Sequence, residues 1–183
     1  AFHDLQLATT KKLEYLTGPA SNAIAETYII LKESPKALSY LRTEKLLSEA
    51  NNSEESLAYA LLDMGSAFEE VNQLDSAYFY EESAITAFQK YKREEPLVYK
   101  TLGDIEIKSG KPAEALSYYK KSLQISVKNN ERRASAIAYS KIAEFYKNVN
   151  QPDSAIYYAV KGLEESRSIS QKKTIMEAAA LLS

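Results

Sequence analysis

Small and bulky side chains return along this chain at intervals close to forty residues. Four clusters carry the signal: Ala37-Leu38-Ser39-Tyr40, Ala77-Tyr78-Phe79-Tyr80, Ala115-Leu116-Ser117-Tyr118 and Ala155-Ile156-Tyr157-Tyr158. Their alanines stand 40, 38 and 40 positions apart. Twelve residues before each lies another small residue, namely Ala25, Gly65, Gly103 and Ala143. The offset of twelve is the same in every copy, although the longer period is not. A fixed internal period of this length is the mark of a repeat architecture.

Between these landmarks the apolar residues fall at helical spacing, so each copy reads as a helix, a short turn and a second, antiparallel helix. First helices are expected at 21–33, 53–71, 94–108 and 132–147, and second helices at 35–50, 75–91, 112–128 and 152–167. Pro35, Pro112 and Pro152 open second helices, where a missing N–H is harmless. The paired small residues belong where two helix axes approach most closely. A larger side chain there would overpack the crossing, at about 1–3 kcal/mol. The 38-residue interval is expected to be absorbed by the second helix and its exit turn.

The ends read as incomplete units. Residues 2–16, with Leu5, Ala8, Leu13 and Leu16, suit the second helix of a preceding unit. Residues 173–183, with Ile175, Met176, Ala179 and Leu182, suit the first helix of a following one. The expected organisation is one array: 1–17 trailing helix, repeats 18–52, 53–92, 93–130 and 131–169, and a truncated unit at 170–183. That makes nine to ten helices. Terminal units of a solenoid need caps, so the chain is expected to continue in a longer protein, consistent with Ala rather than Met at position 1.

Composition narrows the function more than the fold. The 23 Lys and Arg against 25 Asp and Glu leave a net charge of −2, without the positive excess that attracts nucleic acid. The longest apolar runs are about five residues, against roughly 20 for a membrane span, and no signal-peptide pattern opens the chain. Cysteine is absent, which suits the cytoplasm and the periplasm equally. With one histidine, His3, neither a histidine triad nor a conventional zinc site can be assembled. The glycines are isolated, so no phosphate loop is present. Glu69-Glu70 and Glu81-Glu82 are adjacent on helices and do not face one another, which reads as solvated helix faces. No catalytic residues, cofactor or metal ligands are expected, and the segment reads as a non-enzyme. Of the 14 tyrosines, those in Tyr78-Phe79-Tyr80, Tyr118-Tyr119 and Tyr157-Tyr158 recur at matched places in second helices. That recurrence favours packing between helices over a stacking platform for bases or sugars.

The residues in this pattern resemble the tetratricopeptide repeat. That family favours a bulky residue at position 4, a Leu–Gly-like pair at 7 and 8, an aromatic at 11 and small residues at 20 and 27. The unit from Ala58 supplies Leu61, Met64-Gly65, Phe68, Ala77 and Ala84. The unit from Pro96 supplies Tyr99, Leu102-Gly103, Ala115 and Ser122, and the unit from Ala136 supplies Tyr139, Ile142-Ala143, Tyr146, Ala155 and Gly162. The unit from Gly18 supplies Ile24-Ala25, Tyr28 and Ala37. Glu106 departs from the aromatic at position 11 and Glu44 from the small residue at 27, while position 24 holds Glu81 and Ala159 in two units. HEAT and armadillo repeats have periods of ~40–47, but nothing in them demands two small residues twelve apart. The long period resembles arrays of bacterial sensor histidine kinases and transcriptional regulators.

The resemblance implies an all-α, right-handed superhelical solenoid of antiparallel helix pairs. It also implies a non-catalytic scaffold, within a larger signalling protein, that binds a protein or extended peptide in a concave groove. A structural module that self-associates through its incomplete ends, and an RNA- or sugar-binding array, are the alternatives. By resemblance the groove is lined by Asn22 and Glu26; Tyr59, Leu62, Ser66, Glu69 and Glu70; Lys100, Asp104, Ile107 and Lys108; and Ile137, Ser140, Glu144 and Lys147. The Lys, Asn and Arg carboxylate clamp of the chaperone-binding members is absent from these positions. Glu26, Asp104 and Glu144 share one repeat position. They point either to a ligand carrying Lys or Arg, with Tyr59, Leu62 and Ile137 adding apolar contact, or to a solvated face.

Overall fold

Helices account for nearly all of the described residues, which in this computed structural model are 14–181 apart from 91, with side chains described over 21–170 except Asn22 and Tyr91. The helices are α1 (Glu14–Ile30), α2 (Ser34–Ala50), α3 (Glu54–Glu70), α4 (Leu74–Lys90), α5 (Pro96–Lys108), α6 (Pro112–Lys128), α7 (Arg132–Asn148) and α8 (Pro152–Leu181). By their contacts they form two compact units, residues 1–94 and 95–183. In each, consecutive helices pack as pairs.

The same turn closes every connection. Lys32, Asn52, Asn72, Lys92, Gly110, Asn130 and Asn150 each have φ between 53° and 76°. In each case the left-handed residue donates its N–H three residues back and its successor donates five back, as Lys32 does to Ile29 and Glu33 to Tyr28. This is the Schellman arrangement, which satisfies carbonyls that a helix end leaves open. Asparagine tolerates the left-handed region and glycine is indifferent to it. Lys32 and Lys92 are less suited and carry no sequence signal.

Small residues sit where paired helices meet. Ala25, Ala37, Ala77 and Ala115 are fully buried, Gly65 and Gly103 are buried, and Ala143 and Ala155 are half-buried. A Cβ on Gly65 would strike the side chain of Glu81, and one on Gly103 would strike the ring of Tyr119. Beside these crossings an aromatic from each helix stacks on its partner. The pairs are Tyr28–Tyr40, Phe68–Tyr80 and Tyr146–Tyr158, with centroids 5.7, 5.2 and 5.4 Å apart. In the remaining pair Glu106 takes the aromatic's place and forms an ion pair with Lys111 at 3.3 Å. These tyrosines are therefore occupied inside helix pairs.

Three boundaries differ from the sequence expectation. First, α1 extends back through Gly18 and Pro19 to Glu14, Pro19 forgoing one backbone bond just beyond its first turn. Of the trailing helix expected at 2–16, residues 2–13 lie outside the described residues and 14–16 belong to α1. Second, α8 is one helix of 30 residues where two were expected. Nothing between Leu163 and Leu181 is Gly or Pro, so no residue ends it. The described residues therefore hold eight helices rather than nine or ten.

Third, the 38-residue interval is not absorbed by a second helix. Ala37, Ala77 and Ala115 each precede their exit residue, Asn52, Lys92 and Asn130, by fifteen positions. From exit to next small residue the count is thirteen for Asn52–Gly65 and Asn130–Ala143 but eleven for Lys92–Gly103. The two missing residues belong to the start of α5, where Glu95 is extended at φ −101° and ψ 116° and Pro96 opens the helix.

Candidate functional site

In the second unit, α5, α6 and α7 converge on the carboxylate of Asp104. Lys100 Nζ lies 2.8 Å from Oδ2 and Lys141 Nζ 2.8 Å from Oδ1. The Tyr119 hydroxyl donates to Oδ1 at 2.7 Å. Burial pushes this carboxyl upward, but Lys100 and Lys141 together outweigh it and hold Asp104 below the ordinary aspartate value. Ile142 packs on Ala115 and Tyr119 beneath this network. Asp104 is 8% exposed, so its charge is spent inside the unit and is not presented to a ligand.

The first unit builds the equivalent junction from like charges. Counting from the small residues, Glu26 matches Asp104, Glu44 matches Ser122, Asp63 matches Lys141 and Leu41 matches Tyr119. Burial, then Glu26, then Glu44 push the Asp63 carboxyl up to about 7. Glu44 and Glu81 are buried, Glu81 completely. Glu81 is thus not on a solvated face as its sequence suggested, because its position looks into the crossing at Gly65. The sequence signal for both junctions lay at the position two before the small residue, which reads Ala23, Asp63, Thr101 and Lys141.

The groove residues named from sequence fall into three groups. Glu26, Ile107, Lys108, Ser140, Glu144 and Lys147 are exposed. Tyr59, Ser66, Glu69, Glu70, Lys100 and Ile137 are partly covered, and Leu62 and Asp104 are buried. The side chain of Asn22 lies outside the described residues. Tyr59 is engaged by Phe88, edge to face at 5.1 Å, and by Arg93 at 5.6 Å. Leu62 at 4% exposure offers a ligand no apolar surface, and the expectation that it would is corrected.

Glu144 and Lys147 also line an open cleft of about 590 Å³ in the second unit, together with Ala143, Ala155, Ile156 and Ala159. Apolar side chains continue along α8 beside it, with Ile156 62%, Leu163 50% and Val160 47% exposed. Among the described residues no group of three His, Cys, Asp or Glu could hold a metal ion. No helix among them is long and apolar enough to cross a membrane.

No protein-family model and no curated protein matches the sequence. Solved structures do. MamA is similar with a TM-score of 0.56 and 23% identity, covering 84% of this chain and 81% of that one. BtubC from P. vanneervenii gives 0.67 at 16% identity, covering 86% of this chain and 66% of that one. A signal transduction ATPase with numerous domains from Pyrococcus horikoshii, which carries a tetratricopeptide repeat sensor, gives 0.67 at 20% identity. The chain has the tetratricopeptide-repeat fold. It spans 28% of the length of the Pyrococcus protein, over 95% of its own. Tetratricopeptide helix pairs thus account for the twelve-residue offset and for the aromatic stacks. The buried carboxylates Glu44, Glu81 and Glu106 are this chain's own departures from the repeat pattern.

Proposed function

We propose that the chain is a non-catalytic scaffold that binds protein segments on the exposed faces of its first helices. The observation that carries this reading is the cleft at Glu144 and Lys147, where charged rim and apolar floor meet on a repeat fold. Glu26 and Glu144 remain exposed and acidic, which favours ligands bearing Lys or Arg. Asp104 drops out of this set because Lys100 and Lys141 neutralise it. A place within a larger signalling protein is part of the same proposal, in keeping with the repeat sensor of the Pyrococcus ATPase.

A displayed peptide library tests the reading. Wild-type protein is expected to enrich Lys- or Arg-bearing peptides, and a Glu26→Lys, Glu144→Lys variant to lose that enrichment. Failure of the wild type to enrich any class would end the proposal.

The exposed apolar run on α8 favours a second reading, self-association, because contiguous apolar surface marks interaction sites. Sedimentation across a concentration series separates the two, since a scaffold that works as a monomer shows no concentration-dependent change in mass.

A further inference from the structure

Charge is divided unevenly between the two units. Residues 1–94 hold nine Lys and Arg against fifteen Asp and Glu, and residues 95–183 hold fourteen against ten. The net charges are therefore −6 and +4. At long range the first unit of one copy attracts the second unit of another.

The same opposition is built into the outward faces of two second helices in the middle of the chain. On α4, Asp75, Phe79 and Glu82 step by four and three residues, and Lys90 follows eight later, which keeps them on one side of the helix. All four are exposed, Phe79 to 63%. Lys90 is held only loosely, 3.6 Å from Glu54 with both side chains more than half exposed. On α6, Lys120, Gln124 and Lys128 step by four, and Glu114 lies fourteen residues before Lys128. These too are exposed, with Val127 beside them at 57%.

The two faces match when their helices run antiparallel. Glu82 and Lys90 follow Asp75 by seven and fifteen residues, and Lys120 and Glu114 precede Lys128 by eight and fourteen. The intervals agree to within one residue, about 1.5 Å of helix, which a lysine stem spans. Asp75 then meets Lys128, Glu82 meets Lys120 and Lys90 meets Glu114, while Phe79 falls between Gln124 and Val127. Run parallel, the same faces set Asp75 against Glu114 and Lys90 against Lys128, so only one direction attracts. We propose that α4 of one copy docks antiparallel on α6 of a second copy of this chain. The proposal rests on the self-association reading, moves its surface from α8 to two second-helix faces, and leaves the first-helix faces free. Because the two faces differ, each copy offers α4 to one neighbour and α6 to another. One helix laid on another is a small interface, so the association is transient.

Sedimentation velocity of the whole chain, run over a concentration series, reads the contact. Weight-average mass is expected to rise with concentration in dilute salt. It should fall back at about 1 M salt, where charges are screened beyond ~3 Å. Glu82→Lys and Lys120→Glu, both at exposed positions, should each weaken association by about fivefold, since each turns an attraction into a repulsion. The double variant, Glu82→Lys with Lys120→Glu, sets opposite charges face to face again and should recover the wild-type behaviour.

A mass that stays constant with concentration overturns the proposal, and so does a double variant that fails to recover. Association that both single substitutions leave unchanged overturns it as well, while the self-association reading stands on another surface such as α8. Peptide enrichment through Glu26 and Glu144 uses neither α4 nor α6, so the scaffold reading stands or falls apart from these results.

Discussion

The α1–α2–α3 junction and the α5–α6–α7 junction share one register and resolve their charges in opposite ways. At the second, Asp104 is bracketed by Lys100, Lys141 and the Tyr119 hydroxyl. At the first, Glu26, Glu44 and Asp63 occupy matching places, with Leu41 where the tyrosine stands. Burial and these neighbours raise Asp63 to about 7, whereas the two lysines lower Asp104 against its burial. The small residues at the crossings hold the helices in place whatever the junction carries. Charge in the junction is then free to vary, and it sets how each unit responds to pH rather than whether it folds.

The largest effect expected from breaking this comparison is at Asp104. Asp104→Ala removes one partner of the buried Tyr119 hydroxyl and of the Lys100 and Lys141 ammonium groups. Urea unfolding should register a loss of about 2–3 kcal/mol, below the full cost of a broken buried pair because both lysines can reach water. Asp63→Asn is expected to act in the other direction.

Its sign follows from linkage. An unfolded aspartate titrates near ~3.9, and Asp63 in the folded chain near 7. The stability contributed by its raised value is complete below the unfolded value and is lost as pH rises through about 7. Asp104 contributes the reverse, stability present above the unfolded value and lost as pH falls through its lowered one. Thermal midpoints of the wild type should therefore fall between pH 5 and pH 8, and Asp63→Asn should flatten that slope. An equal slope in both proteins would remove Asp63 from the account.

Smaller differences separate the two glycine crossings. At Gly103 an added Cβ meets the ring of Tyr119, which is anchored through Asp104 and cannot yield. At Gly65 it meets the carboxylate end of Glu81, a side chain with more torsions to adjust. Alanine also gains about 1 kcal/mol of helix propensity over glycine. Gly103→Ala should thus be destabilising by about 1–2 kcal/mol and Gly65→Ala clearly less so; equal losses in calorimetry would contradict the difference.

Smallest is the turn comparison. The first unit places Lys32 and Lys92 in the left-handed region where the second uses Gly110, Asn130 and Asn150. Lys32→Gly should stabilise by about 0.5–1 kcal/mol, relief of left-handed strain outweighing the greater freedom of the unfolded chain. Asn130→Gly should be nearly neutral.

How much of this was legible depends on which residues carried the information. The helix pairs could be read because crossings demand small side chains, and Ala25 to Ala155 repeat that demand four times. The long α8 was not, since a helix that merely fails to stop leaves no positive mark. Lys32 and Lys92 were hidden because lysine has no turn preference to betray it. The burial of Glu81 was missed because adjacency along one helix says nothing about the helix opposite. Of the residues named for the groove, those on exposed turns of α5 and α7 remain accessible. Leu62 and Asp104, chosen by repeat position alone, turned out to face inward.

The most direct test is a carboxyl-carbon NMR titration that follows Asp63 and Asp104 together in one wild-type sample. The account predicts that Asp63 titrates near 7 and Asp104 below the ordinary aspartate value. Two aspartates titrating together near ~4, as exposed aspartates do, would contradict it.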